Sequence, residues 1–179
     1  MFHKILVAVD NSPISEKVFN EAVSIAKATN ANLMLLNVLS PFEESYLNSA
    51  GIYTNSYYPT FNANNIDYYM GAWEELKQQG LNYLKILSDE ATKLDIPTEF
   101  TQNLGDPGKI ICEVSINWNA DLIIIGRRGH RGLNEFFLGS VSNYVLHHAP
   151  CSVLTVQGQI ITKSGESQES KEIEKVETT

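Results

Sequence analysis

Lys4-Ile5-Leu6-Val7-Ala8-Val9, closed by Asp10, is an unbroken apolar run and not an alternation. A strand with one face in water alternates apolar and polar residues, whereas a strand covered on both faces does not. The run therefore predicts a strand of a parallel sheet sandwiched between helices. Asn32-Leu33-Met34-Leu35-Leu36-Asn37-Val38 and Asp121-Leu122-Ile123-Ile124-Ile125 have the same character. Two weaker strands, Thr98 to Leu104 and Cys151 to Val156, bring the set to five.

The stretches between these runs have helical spacing. Ser12 is placed to cap a helix with Pro13 at its first position, and Val18, Ala22 and Ala26 follow on one face beside Phe19 and Ile25. A second stripe from Trp73 carries Leu76, Leu84, Leu87, Ala91 and Leu94, and Asp95-Ile96-Pro97 ends it. Asp106-Pro107 repeats the cap-then-proline device ahead of Ile110, Ile111, Val114 and Trp118. A last helix begins near Ser140 and stops before Pro150. Strict alternation of strand and helix predicts an α/β fold, a single doubly wound five-stranded parallel sheet with helices on both faces, Rossmann-like in plan. Such sheets bind ligands beyond the carboxyl ends of their strands, which singles out Asp10, Val38 to Ser40, Gly105 and Gly126.

Bulk properties narrow the partners. A chain of 179 residues, 43% hydrophobic and 19% charged, suits one domain, and no apolar run reaches the roughly 20 residues of a membrane span. The opening reads as a core strand and not as a signal peptide. Cys112 and Cys151 lie in apolar stretches without the spacing of a zinc or redox motif, so free thiols in a reducing, cytoplasmic setting are expected. A net charge of -8 opposes general binding to nucleic acid. His147 and His148 are adjacent and cannot chelate one metal from a helix; they fit a helix C-terminus. Two stretches depart from the plan. Residues 41–70 are rich in Tyr, Asn and Ser without a period and suggest a lid. Residues 158–179 form an acidic tail expected to be disordered.

The stretch from Gly126 to Ser142 follows a buried strand and opens a helix. Gly126 and Gly129 let main-chain N–H groups approach a phosphate, and Gly139-Ser140 leads into a helix N-terminus that favours an anion. The hydroxyls of Ser140 and Ser142 add donors, and Arg127, Arg128 and Arg131 gather positive charge in an acidic chain. The bland readings stand beside these: turn punctuation for the glycines, a solvated patch for the arginines, a helix cap for Asp10.

The spacing Gly126-x2-Gly129-x9-Gly139-Ser140 resembles the ATP-binding signature of the universal stress protein family. The likeness extends to ILVAVDNS at 5–12, Gly105-Asp106-Pro107, DLIIIG and HAPCSVLTV at 148–156, covering nearly all of residues 1–157. It implies an adenine nucleotide alpha hydrolase-like fold. It further implies Ala8, Val9, Asp10 and Val38 at the nucleoside of ATP, and Ile125, Gly126, Arg127, Arg128, Gly129, Gly139, Ser140, Val141 and Ser142 at ribose and phosphates. Mg2+ is then carried through the phosphates, and a homodimer forms through the last strand, Val153 to Val156. Arg127-Arg128 depart from the small or polar residues usual between the first two glycines, and the insertion is longer than a minimal member needs. The implied role is a nucleotide-dependent regulatory switch in a stress response. The alternatives are a slow ATPase or phosphotransferase, for which His130 is the only imidazole in the loop, and a nucleotide-free dimerisation module.

Overall fold

The computed structural model describes residues 1–40, 66–127 and 139–158. Most of the expected lid, most of the expected tail, and Arg128, Gly129, His130 and Arg131 lie outside the described residues. The element order is β1 (Lys4–Ala8), α1 (Ile14–Thr29), β2 (Asn32–Leu39), α2 (Ile66–Lys93), β3 (Thr98–Leu104), α3 (Pro107–Trp118), β4 (Leu122–Arg127), α4 (Ser140–His148) and β5 (Ser152–Gln157). All strand pairs are parallel and the sheet order is β3-β2-β1-β4-β5. Every one of the five expected strands is present, with β5 one residue later than its apolar run.

The two-period of each strand divides the core into two layers. Ile5, Val7, Leu33, Leu35, Leu122 and Ile124 face α1 and α2, where they meet Val18, Phe19, Ala22, Leu84, Leu87 and Ala91. Leu6, Met34, Leu36, Ile123 and Ile125 face α3 and α4, against Ile111, Cys112 and Val145. The central strands are apolar at consecutive positions because both layers need them. The edge strands are not, and Leu104 and Leu154 are exposed.

Helix ends follow local chemistry with two departures from expectation. Asp106 accepts the Lys109 N–H at 3.1 Å, as the Asp-Pro device predicts. Asn30 and Asn119 end α1 and α3 in the left-handed conformation, a role that Asn fills more readily than most side chains. By contrast α1 starts at Ile14 with Pro13 at the cap and no side-chain cap bond, so Ser12 is not its cap. The second helix starts at Ile66 and not at Trp73, absorbing the last residues assigned to the insertion. Leu94, expected on the buried stripe, falls in the turn after α2 and is 39% exposed. At the other end of the sheet Asp121 accepts the His3 and Lys4 N–H groups, and the Lys4 ammonium sits 4.9 Å over the Trp118 ring.

Candidate functional site

Strand order reverses between β1 and β4, and their carboxyl ends open a crevice there. Val9 N–H still donates to Leu36 O at 2.9 Å, and Asp10 then leaves the sheet. Its Oδ1 accepts from Ser12 N–H at 3.0 Å, from the Ser12 hydroxyl, and from the Ser15 hydroxyl at 2.8 Å. Ser15 Oγ in turn accepts the Asp10 N–H at 2.9 Å. This closed set of bonds occupies the place where a conventional cap would sit and explains why Ser12 is not used as one.

The crevice is an open cleft whose empty space, counting its solvent-filled mouth, comes to about 550 Å³. Ala8, Leu36, Val38, Ile111, Ile125 and Val141 line it with apolar surface. Asp10, Ser15 and the Gly126 backbone add its polar atoms, flanked by Ile14 and Pro107. The lining is thus mostly apolar with a few polar groups. Asp10 is the one ionisable side chain among the described lining residues.

Seven of the residues singled out in the sequence line this cleft: Ala8, Val9, Asp10, Val38, Ile125, Gly126 and Val141. Arg127 ends β4, half-buried and paired in register with Gln157, and does not line it. Gly139 caps α4 and Ser140 is exposed in its first turn. Ser142 is buried, and its hydroxyl donates to Gly139 O at 3.0 Å. Gly126 also has a packing reason. Its backbone is not in the glycine-favouring positive-φ region. A Cβ there would lie 2.9 Å from Ile14 Cγ2, so its lack of a side chain lets α1 pack closely on β4.

Sequence reading missed Ile14, Ser15, Leu36, Pro107 and Ile111. Leu36 was recoverable as the residue two before Val38 on the same strand face, and Pro107 as the residue after a strand-end turn. A polar residue behind the site was also missed. Asn37, 5% exposed, donates to Val9 O at 3.0 Å and accepts from Gln102 Nε2 at 3.0 Å, fixing β1 where it leaves the sheet. On α2, Tyr83 has its hydroxyl pKa raised by burial and then by the carboxylates of Glu16, Asp10 and Glu90.

The sheet order defines an open doubly wound α/β protein with a cleft at its switch point. Residues 1–157 match the universal stress protein family, and the chain belongs to that family. The universal stress protein Sll1388 of Synechocystis is 34% identical over 160 residues, covering 87% of this chain and 98% of that protein. Among solved structures, universal stress protein UspA of Lactobacillus plantarum superposes with a TM-score of 0.67 at 22% identity, over 87% of this chain and 97% of its own. A universal stress protein in complex with cAMP gives 0.59 at 22% identity, over 87% and 97%. An Arabidopsis thaliana family protein with AMP bound gives 0.56 at 20% identity, over 92% and 97%.

Proposed function

We propose that this protein binds an adenine nucleotide, ATP with Mg2+ held through its phosphates, and uses occupancy of the cleft as a regulatory switch. The observation that carries the reading is the cleft itself, at the switch point, lined by the apolar Leu36, Val38, Ile111, Ile125 and Val141 together with Asp10. The apolar lining suits a purine and Asp10 suits a ribose hydroxyl. Two structural neighbours with the same fold hold cAMP and AMP, ligands of the class this cleft fits.

Charge orients the ligand. The Asp10 carboxylate repels phosphates, so they point instead toward the N–H groups at the start of α4, where the helix dipole favours an anion. Arg128 and Gly129, outside the described residues, are assigned to the same end on the strength of the motif. An Mg2+ ion carried on the phosphates needs few protein ligands, since phosphate and water oxygens complete its shell. Binding can act as a switch only through unequal affinity for two states of the protein.

The test is calorimetry with Mg-ATP on the wild type and on Val38→Trp, which fills the apolar wall without touching a charged group. Expected is a loss of about tenfold or more, the cost of displacing a ring from its pocket. Undiminished affinity in the variant would remove this cleft from the reading.

A further inference from the structure

Ser15 is 2% exposed, lies in the first turn of α1, and spends its whole hydroxyl on one neighbour. Its Oγ accepts the Asp10 N–H at 2.9 Å and donates to Asp10 Oδ1 at 2.8 Å. A serine at this point of a helix ordinarily bonds a backbone group of its own turn. Here it reaches back five residues, gripping both the main chain and the carboxylate of the residue that leaves the sheet. Ser12 adds its N–H and its hydroxyl to the same Oδ1. One carboxylate oxygen thus collects three donors, which fixes the rotamer of Asp10 where it lines the cleft.

We infer that Ser15 is a positioning residue: it sets the carboxylate of Asp10 so that the cleft selects ribonucleotides over their deoxyribose counterparts. The inference rests on the reading that a nucleotide occupies the cleft with a ribose hydroxyl toward Asp10. A charged acceptor discriminates strongly only when its geometry is fixed, because a carboxylate that can swing finds water as readily as a hydroxyl. Without the Ser15 hydroxyl, Asp10 loses its deepest restraint while the apolar wall that takes the base is untouched. Affinity for ATP then falls toward that for deoxy-ATP, and affinity for deoxy-ATP stays where it was. A merely structural role predicts something else, an equal loss for every ligand.

The experiment is calorimetric titration of the full chain with Mg complexes of ATP, 2′-deoxy-ATP and 3′-deoxy-ATP. The proteins are wild type, Ser15→Ala, Ser15→Thr and Ser12→Ala. For wild type, about tenfold tighter binding of ATP than of at least one deoxy analogue is expected, the value of a hydrogen bond to a charged group. In Ser15→Ala that ratio should shrink to about threefold or less with deoxy-ATP binding held within about twofold, and Ser15→Thr, which keeps the hydroxyl, should restore it. The ratio of two constants measured on one sample is independent of the folded fraction. Should Ser15→Ala fail to fold, Ser12→Ala, on a half-exposed turn and removing a donor to the same oxygen, takes its place and should narrow the ratio. Full discrimination retained in the variant that folds, or equal loss for all three ligands, overturns the role of Ser15 and leaves nucleotide binding intact. Wild type that binds ATP and both deoxy analogues alike overturns it too, by taking the ribose away from Asp10. Wild type that binds no ATP sinks the underlying reading and this inference together.

Discussion

At Gly126 a methyl group has nowhere to go: a Cβ would lie 2.9 Å from Ile14 Cγ2 and 3.3 Å from Val18 Cγ2. The backbone there is ordinary strand, so Gly126→Ala costs overpacking between β4 and α1, about 1–3 kcal/mol. The urea midpoint should fall with the denaturant slope unchanged. Nucleotide affinity should fall as well, because Ile14 borders the cleft. A variant as stable as wild type would show that α1 does not need this glycine. The two thiols make a prediction of a different kind. The Cys112 pKa is raised by burial and then by Glu113, and the Cys151 pKa by burial, then Asp121 and Cys112. The folded chain therefore keeps protons that the unfolded chain has already released. Stability is complete below the unfolded thiol value of about 8.5 and declines as pH climbs through the higher folded values. Tyr83, also shifted upward, extends the decline toward higher pH. Urea midpoints at about pH 7 and about pH 10 should differ in that direction, and equal midpoints would count against the burial of all three groups.

The element whose shape was hardest to read is α2. Its later turns carry the stripe of Leu84, Leu87 and Ala91, which the 3.6-residue period exposes plainly. The sequence from Ile66 to Trp73 shows no such stripe, and Met70 is 64% exposed, so periodicity marks the helix only further along. Between the two halves sits Gly80, tight against Gln102 Nε2 and 2.8 Å, at its imagined Cβ, from Asn37 Oδ1. Gln102 also donates to Lys77 O at 3.1 Å, so this one junction ties α2 to β3, β2 and, through Asn37, to the end of β1. By helix propensity alone, Gly80→Ala should stabilise by about 1 kcal/mol. The crowding predicts the opposite sign. Gln102→Ala clears the nearest atom, so in that background the penalty of Gly80→Ala should shrink or reverse. A double-mutant cycle by chemical denaturation measures the coupling, and simple additivity would disprove the clash. Asn37 was unreadable for a related reason: inside a run such as Leu35-Leu36-Asn37-Val38 a polar residue looks like noise until the partner on β3, 65 positions away, is known.

Across the whole molecule, the sheet was legible because burial on both faces erases alternation, a signal that survives in β1, β2 and β4 without any knowledge of contacts. The apolar wall of the cleft was only half legible. Ile111 and Leu36 look like ordinary core residues and become site residues only where two layers meet at a strand end. What the sheet leaves open is its far edge. Among the described residues β5 pairs with β4 on one side alone, and Leu154 is 37% exposed beside a half-buried Val153 and Thr155. An apolar edge strand of this kind presents unpaired main-chain groups to a second copy. We expect a homodimer through Val153 to Val156. Each copy carries a net charge of -8, so association works against repulsion that salt screens. The dimer should therefore tighten as ionic strength rises from about 0.05 to about 0.5 M, the opposite of an interface held by opposite charges. Leu154→Glu, which adds charge at the edge, should dissociate it while leaving the monomer folded. Sedimentation velocity at micromolar concentration reads both effects against a monomer of 20.0 kDa. A single monomeric species at every salt concentration would leave β5 as a bare edge and end this expectation.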